Sequence, residues 1–207
     1  MHIADGIVSG PVLATGFGIT AVLAAATMRN VDLEEIPKIS VVTAIFFVAN
    51  FIHIPFVVAS IHLILNGLAG VILGKRAFMA IMLGVILQAF FGFGGVSVIG
   101  VNSVMLGGGA LFAYGIWYCR RFVSIPNREV IFGALAGGLG IFFSGCVLAL
   151  ALVTTGDAFI TAAELVLGYH VVLMVLEGIV TGACVGFLLK TRPNLLSGQV
   201  ETATGKA

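Results

Sequence analysis

The chain has 207 residues, of which 60% are hydrophobic and only 9% charged, and its mean hydropathy is +1.19, far above that of soluble domains. A formal net charge of +1 argues against a nucleic-acid partner, which normally requires a strongly basic face. We therefore expect an integral membrane protein that contacts the lipid bilayer and has no nucleic-acid partner.

Seven hydrophobic runs predict an all-α polytopic membrane protein with about seven transmembrane helices. The runs cover roughly residues 7–28, 39–59, 62–74, 77–92, 103–119, 130–154 and 164–189. The third run is short for a full span, and the glycine-rich segment 93–101 is expected to be irregular. Such backbone is tolerated at membrane depth only where protein covers it or where it lines a cavity.

The positive charges predict the orientation. With seven spans and the N-terminus outside, all ten lysines and arginines fall on the cytoplasmic side, as the positive-inside rule requires. A six-span alternative would divide them between the two faces. We expect a single transmembrane domain over residues 1–190, which includes the N-terminal segment, and a short cytoplasmic tail over 191–207, disordered because it is polar.

The chain starts Met1-His2, which makes the N-terminus a potential metal chelate. The α-amine of Met1 and the backbone and imidazole nitrogens of His2 can close two adjacent rings around one ion. Three nitrogens in a plane suit a tetragonal ion such as Ni(II) or Cu(II). The dipeptide alone is weak evidence, since some residue must follow every initiator methionine. No signal peptide is predicted, and His at position two is expected to protect Met1 from removal.

The other histidines are His53, His62 and His170, and in the predicted topology all four lie at or near the outer face. Ionisable residues within a membrane usually face a cavity or a bundle interior, although a backbone carbonyl can satisfy any one of them. The terminal chelate leaves one position in its plane, for which we choose His62. His53, which precedes Ile54-Pro55, is a structural residue, a fifth contact or a partner of a ligand. His170 is a second-tier ligand candidate.

Polar residues near these histidines are expected to orient them. Asp5 is close enough along the chain to accept a hydrogen bond from His2 and fix its ring, unless it is simply a solvated acid. Gln88 and Asn102 flank the glycine-rich segment, and their amides are expected to pin it over the N-terminus.

Glu177 lies near the bilayer midplane, where a carboxylate needs a partner or a proton. It is a candidate for relaying protons, for stabilising a helix contact or for linking to a partner subunit. The stripe of Gly178, Gly182 and Gly186 that follows permits close helix approach. It is also a candidate surface for a coupling subunit.

Several segments together carry a family resemblance that extends over nearly the whole chain. They are Met1-His2-Ile3-Ala4-Asp5-Gly6, Ser60-Ile61-His62-Leu63-Ile64-Leu65-Asn66-Gly67, Leu87-Gln88-Ala89-Phe90-Phe91-Gly92-Phe93-Gly94-Gly95, Ile99-Gly100-Val101-Asn102, His170 and Glu177-Gly178. The sequence resembles the CbiM/NikM substrate-capture components of energy-coupling-factor transporters for cobalt and nickel. The segment 55–59 is bulkier than the corresponding stretch of relatives, which leaves the metal preference open.

The resemblance implies a square-planar set of four nitrogens: the Met1 amine, the His2 amide and imidazole, and the His62 imidazole. The metal would be a transported substrate, either Co(II) or Ni(II), and no cofactor or enzymatic activity is expected. The implied partners are a small auxiliary membrane subunit, a transmembrane coupling subunit and two ATPase subunits. The implied location is a prokaryotic inner membrane, which the chain crosses several times.

Two alternatives stay open on the sequence. One is a stand-alone proton-coupled metal carrier that uses Glu177. The other is a membrane-embedded redox protein that holds haem or a metal through His53 and His170. Neither gives a role to the Met1-His2 terminus. The sequence does not decide between cobalt and nickel, because nitrogen ligands accept both and selectivity depends on geometry and availability.

Overall fold

The computed structural model describes residues 2–52, 54–56 and 59–198. The regular structure within them is helical apart from one short hairpin. The helices are α1 (Gly10–Met28), α2 (Ile36–Ala49), α3 (Asn66–Leu73), α4 (Ala77–Phe90), α5 (Ile99–Cys119), α6 (Arg128–Val153) and α7 (Ile160–Thr191). The hairpin pairs β1 (Ile54–Phe56) with β2 (Ala59–Ile61) in antiparallel register, Ile54 opposite Ile61.

Five helical stretches among the described residues are long and apolar enough to cross a membrane. They are Gly10–Met28, Asn66–Phe90, Ile99–Phe122, Arg128–Val153 and Asp157–Thr191. Large apolar side chains point outward from them, among them Val22 at 68% exposure and Leu165 at 71%. Such an outer surface is stable against lipid and not against water, so the protein is a polytopic helical membrane protein.

The apolar stretch 66–90 is two antiparallel helices because the chain reverses at Gly74. The Asn66 side chain donates to the Leu106 carbonyl at 3.2 Å, and Gly74 lies beside the Tyr114 ring, so α3 runs parallel to α5. Gly74 has a φ of +59°, which glycine adopts without strain. At the far end of α4, Gln88 lies back beside the start of the chain.

Arg76, just before α4, bonds the end of α1 and the connection between α1 and α2 at one end of the bundle. Its guanidinium donates to the carbonyls of Thr27, Arg29 and Asn30 and forms a salt bridge of 3.0 Å with Glu35. This end, the basic end, carries the described lysines and arginines: Arg29, Lys38, Lys75, Arg76, Arg120, Arg121, Arg128, Lys190 and Arg192. The opposite end, the site end, holds the N-terminal segment 2–9 and the loop 91–98.

Several predicted helix boundaries differ from the structure. The second helix ends at Ala49, well before residue 59, and the chain leaves it in a turn in which the Phe51 and Ile52 amides bond carbonyls three residues back. The fifth helix begins at Ile99, four residues before the predicted start. The third begins only at Asn66, since Leu65 has a φ of +59°. The seventh is longer than 164–189 at both ends. At eight residues, α3 is about 12 Å long, so the predicted shortness of the third run is confirmed.

The start of the tail packs against the basic end. Leu196 is 1% exposed, and the Ser197 amide donates to the Val71 carbonyl at 3.0 Å. The Ser197 carbonyl accepts from the Trp117 indole and the Arg120 guanidinium, both at 3.0 Å. The predicted disorder is therefore wrong for residues 192–198, because Leu196 fills an apolar site between α3 and α5. The division of the chain at residue 190 stays a prediction, and residues 199–207 lie outside the described residues.

Candidate metal centre

The N-terminal segment 2–9 docks at the site end through two buried side chains, while residues 4–7 are exposed. Ile3 is 4% exposed and Val8 7%. Asn102, near the start of α5 and 1% exposed, forms two hydrogen bonds with the backbone of Ile3. Its Oδ1 accepts from the Ile3 amide and its Nδ2 donates to the Ile3 carbonyl, each at 3.0 Å. The backbone next to His2 is therefore held in one position.

Gln88 orients the His2 ring. The His2 Nε2 lies 2.8 Å from the Gln88 Oε1, and Gln88 is completely buried. Because an amide oxygen only accepts hydrogen bonds, this contact places the imidazole hydrogen on Nε2 and leaves a lone pair on Nδ1. Nδ1 is the ring nitrogen that closes a six-membered chelate ring with the backbone nitrogen of the same residue.

The surroundings of His2 keep its imidazole neutral. Burial, the neighbouring N-terminal charge and the His62 imidazole together lower the pKa of His2 to about 3, although the hydrogen bond to Gln88 acts in the opposite direction. A neutral ring has a lone pair available to a metal at physiological pH.

His62 is half-buried in the extended segment 62–65, between β2 and α3. Among the described residues, no three His, Cys, Asp or Glu side chains lie close enough together to hold a metal ion. Met1 and His53, both predicted at this site, lie outside the described residues.

The loop 91–98 closes over the N-terminal segment. Gly94 and Gly95 have φ values of +83° and +145°, and a Cβ on Gly95 would collide with the Asp5 carboxylate. The Asp5 amide donates to the Gly94 carbonyl at 3.2 Å, and the Ser97 amide donates to the Asp5 carboxylate at 3.1 Å. The predicted bond from His2 to Asp5 is thus wrong: the His2 ring bonds Gln88, and Asp5 fastens the loop.

Four phenylalanines beside His2 were not foreseen from the sequence. Phe47 of α2 and Phe51, two residues after the end of that helix, meet Phe91 and Phe93 of the loop, with ring centroids 4.6 to 6.3 Å apart. Phe93 also lies edge-on to the His2 ring at 6.5 Å. Within this aromatic cluster Phe93 covers one side of the imidazole, while Phe91 is 65% exposed. The helical spacing of Phe47 and Phe51 was the available signal, but it is also typical of an ordinary lipid-facing surface.

His170 lies in α7 and is held inside the bundle. It is 1% exposed, and its Nδ1 donates to the Val166 carbonyl one turn earlier at 2.7 Å. Gly145 of α6 lies against the ring, where a Cβ would collide with it. His170 joins no group of three ligand-type side chains in the described residues, and its role as a second-tier ligand stays a prediction.

The glycine stripe of α7 faces the interior of the protein. A Cβ on Gly182 would lie 3.0 Å from the Ala134 Cβ, and one on Gly178 would lie 3.1 Å from the Ala134 carbonyl oxygen. The stripe therefore packs against α6, and the hypothesis that it forms a surface for a coupling subunit is wrong. Glu177, next to it, is completely buried and accepts hydrogen bonds from the amides of Ile64 and Leu65.

The apolar helices define a membrane protein, and the docked N-terminal segment brings an imidazole with a free lone pair to one end of it. The chain belongs to the CbiM family, described as the cobalt uptake substrate-specific transmembrane region, whose family model matches residues 2–195. It is a multi-pass protein of the prokaryotic cell membrane.

Two relatives have names that propose a role in metal transport. The protein of Haemophilus influenzae is 30% identical over 200 residues, which cover 95% of this chain and 97% of the relative. The protein of Haloquadratum walsbyi is 30% identical over 216 residues, which cover 98% and 96%.

The fold is also similar to crystal structures of a transition metal transporter. A truncated form and a second form both match with a TM-score of 0.77 and 24% identity. The match covers 92% of this chain in both cases, with 99% of the truncated form and 93% of the other. At this identity the likeness establishes the fold alone.

Proposed function

We propose that this protein is the substrate-capture subunit of an energy-coupling-factor importer and that it binds Co(II) or Ni(II) at the site end. The ligands are the Met1 α-amine, the His2 amide and imidazole nitrogens, and the His62 imidazole. Four nitrogens in one plane favour a tetragonal ion. The metal is the transported substrate.

The observation that carries this proposal is the hydrogen bond between His2 and Gln88. A terminal chelate requires the lone pair of the His2 ring on Nδ1, and the opposite tautomer would place a hydrogen there. A buried partner on the outer nitrogen of a ligand histidine is the usual way to fix its tautomer and its orientation. The two bonds from Asn102 to Ile3 support the proposal because they hold the backbone that would carry the chelating amide.

Capture then proceeds by exchange of water and protons for protein nitrogens. The His2 amide must lose its hydrogen to bind, and so must the terminal ammonium, so metal binding releases protons. His2 itself releases none from its ring at neutral pH, because its pKa is about 3. Phe93 of the aromatic cluster covers one side of the imidazole and so disfavours return of the metal to its hydrated form.

The topology and the partners belong to the same proposal. We place the site end outside and the basic end in the cytoplasm, since cytoplasmic loops carry the excess of lysine and arginine. The chain then crosses the membrane seven times. Six of the crossings are made by single helices, and the remaining one is made by the segment 62–65 together with the short helix α3. Uptake is driven by two separate ATPase subunits through a transmembrane coupling subunit, assisted by a small auxiliary membrane subunit.

The experiment that tests the ligand set is a titration of purified protein with Ni(II) and Co(II), with the native terminus and with one residue added before Met1. The addition converts the α-amine to an amide and displaces the chelate, while every side chain remains. Tight binding should be lost. Unchanged binding would refute the terminal chelate and direct attention to a site made of side chains.

Two further variants locate the fourth ligand. His62→Ala should weaken binding and change the visible absorption of bound Ni(II). His170→Ala should leave that spectrum unchanged, because this ring is bonded within its own helix. A spectral change in His170→Ala alone would contradict the assignment.

Dependence on partners is tested by transport. Liposomes that contain this chain alone should bind Ni(II) without accumulating it, with or without a proton gradient. Accumulation driven by a gradient would favour the stand-alone carrier instead.

A further inference from the structure

The segment 62–65 is irregular backbone inside a membrane protein. It connects β2 to α3, and Ile64 within it is completely buried. Amide groups in such a place have no water to bond, so each needs a partner from the protein. Leu65, the last residue before α3, has a φ of +59°, a conformation that is rare for leucine. This segment therefore keeps its shape only if surrounding groups hold it.

Glu177 of α7 supplies the acceptors. Its Oε1 accepts from the Ile64 amide at 2.5 Å and from the Leu65 amide at 3.1 Å, and its Oε2 lies 3.2 Å from the Leu65 nitrogen. Glu177 is completely buried. One side chain thus satisfies two consecutive amides that lie two and three residues beyond His62.

The position calls for a carboxylate in particular. Ile64 and Leu65 precede the first turn of α3, where amide hydrogens point outward and the helix dipole is positive. A carboxylate only accepts hydrogen bonds, whereas a carboxamide in the same place can turn an NH₂ donor toward these donors. Bonds to a charged acceptor are also about twice as strong as bonds between neutral groups.

The attachment of α7 to the bundle does not depend on this contact. The Gly178 and Gly182 positions already pack closely on α6, and His170 is seated against Gly145. The bonds from Glu177 reach instead across to the segment that carries His62. The carboxylate therefore acts chiefly on the shape of that segment.

We propose that Glu177 is a positioning residue for metal capture: by bonding the Ile64 and Leu65 amides, it fixes the segment 62–65 so that His62 faces the N-terminal chelate. The inference rests on the proposed function, in which His62 is the fourth ligand. It makes α7 a second support of the site, in addition to the support that α4 and α5 give to the N-terminal segment.

The test compares Ni(II) binding and the visible spectrum of bound Ni(II) in four purified proteins. They are the wild type, Glu177→Gln, His62→Ala and the double variant, all with the native terminus and titrated with Ni(II) alone. Glu164→Gln is the matched control, since Glu164 is an exposed glutamate of the same helix. We expect Glu177→Gln to weaken binding by about 10- to 100-fold, the usual effect of removing a group that orients a ligand, with a spectrum shifted toward that of His62→Ala. The control should match the wild type.

The double variant decides whether the effect passes through His62. If it does, Glu177→Gln has little further effect once His62 is absent. The inference would be overturned if the loss of Ni(II) affinity in the double variant equalled the product of the two single losses. A wild-type spectrum in Glu177→Gln would overturn it as well. A His62→Ala protein with wild-type binding would instead refute the ligand set of the proposed function, whatever Glu177 does.

A second variant covers the case in which Glu177→Gln does not fold. Glu177→Asp keeps the charge but shortens the reach by one methylene, so we expect a smaller loss of affinity with the same spectral shift. Wild-type affinity and spectrum in a folded Glu177→Asp protein would also overturn the inference.

Discussion

Replacement of Asn102 by leucine removes both bonds to Ile3 and leaves a side chain of similar size. The Asn102 side chain is 1% exposed and its two bonds are each 3.0 Å long, so no water can replace them without local opening. A buried backbone group left without a partner costs about 1–3 kcal/mol. For the amide and the carbonyl of Ile3 together this gives about 2–6 kcal/mol.

This energy acts on the N-terminal segment and so on metal capture. Burial of Ile3 and Val8 and the bonds of Asp5 still favour the docked segment in the variant. If only the lower part of this range of about 2–6 kcal/mol shifts the equilibrium toward the undocked segment, the apparent affinity for Ni(II) falls by about 30- to 100-fold, since 1.4 kcal/mol corresponds to a factor of ten.

The assay is a competition titration of Ni(II) against a chelator of known affinity, with purified protein in detergent. Asn194→Leu is the control, because Asn194 is exposed at the basic end. Amide hydrogen exchange of the N-terminal peptide should rise only in Asn102→Leu. Unchanged affinity together with faster exchange would refute the link between docking and capture. If neither changed, the two hydrogen bonds would not hold the segment.

Three further predictions concern other parts of the molecule. Gln88→Leu should weaken Ni(II) binding by about 10- to 100-fold with little loss of thermal stability, whereas equal losses of both would indicate a purely structural role. The pKa of His2, about 3 when folded against about 6.5 when unfolded, means that the unfolded chain binds more protons at acid pH. Metal-free protein should therefore lose stability as the pH falls below 6.5, by about 2 kcal/mol at pH 5 from His2 alone. Thermal unfolding should show a correspondingly smaller loss in His2→Gln, and identical pH profiles would contradict the assignment. Leu196→Ala should lower stability by about 2–5 kcal/mol, measured as the melting temperature, while Leu195→Ala, at a more exposed position, should cost much less.

The sequence alone determined the class of the protein, because apolar helices in lipid require long runs that composition reveals directly. It also revealed the clustering of positive charge, which the structure places at one end of the helices. The sequence also singled out His2 and His62 as ligand candidates, since rare polar residues within apolar sequence are easily recognised. The complete ligand set stays a prediction.

Only the tertiary structure decided which group each polar side chain bonds. Asp5 is near His2 along the chain but bonds Ser97, whereas Gln88, remote in sequence, reaches the ring. No local pattern encodes such contacts, because they depend on how α4 and the loop 91–98 pack over the N-terminal segment. The same holds for Glu177, whose partners lie more than a hundred residues away in an irregular segment.

Helix packing likewise decided which neighbour the small residues of α7 contact and whether the start of the C-terminal tail is ordered. A stripe of glycines predicts close approach but not the neighbour, and α6 occupies the face around Gly178 and Gly182. The polar composition of the tail predicts disorder, yet Leu196 is buried in an apolar site between α3 and α5. Periodicity and composition describe what a segment tends to bury, but the partner that buries it is fixed only when the whole bundle assembles.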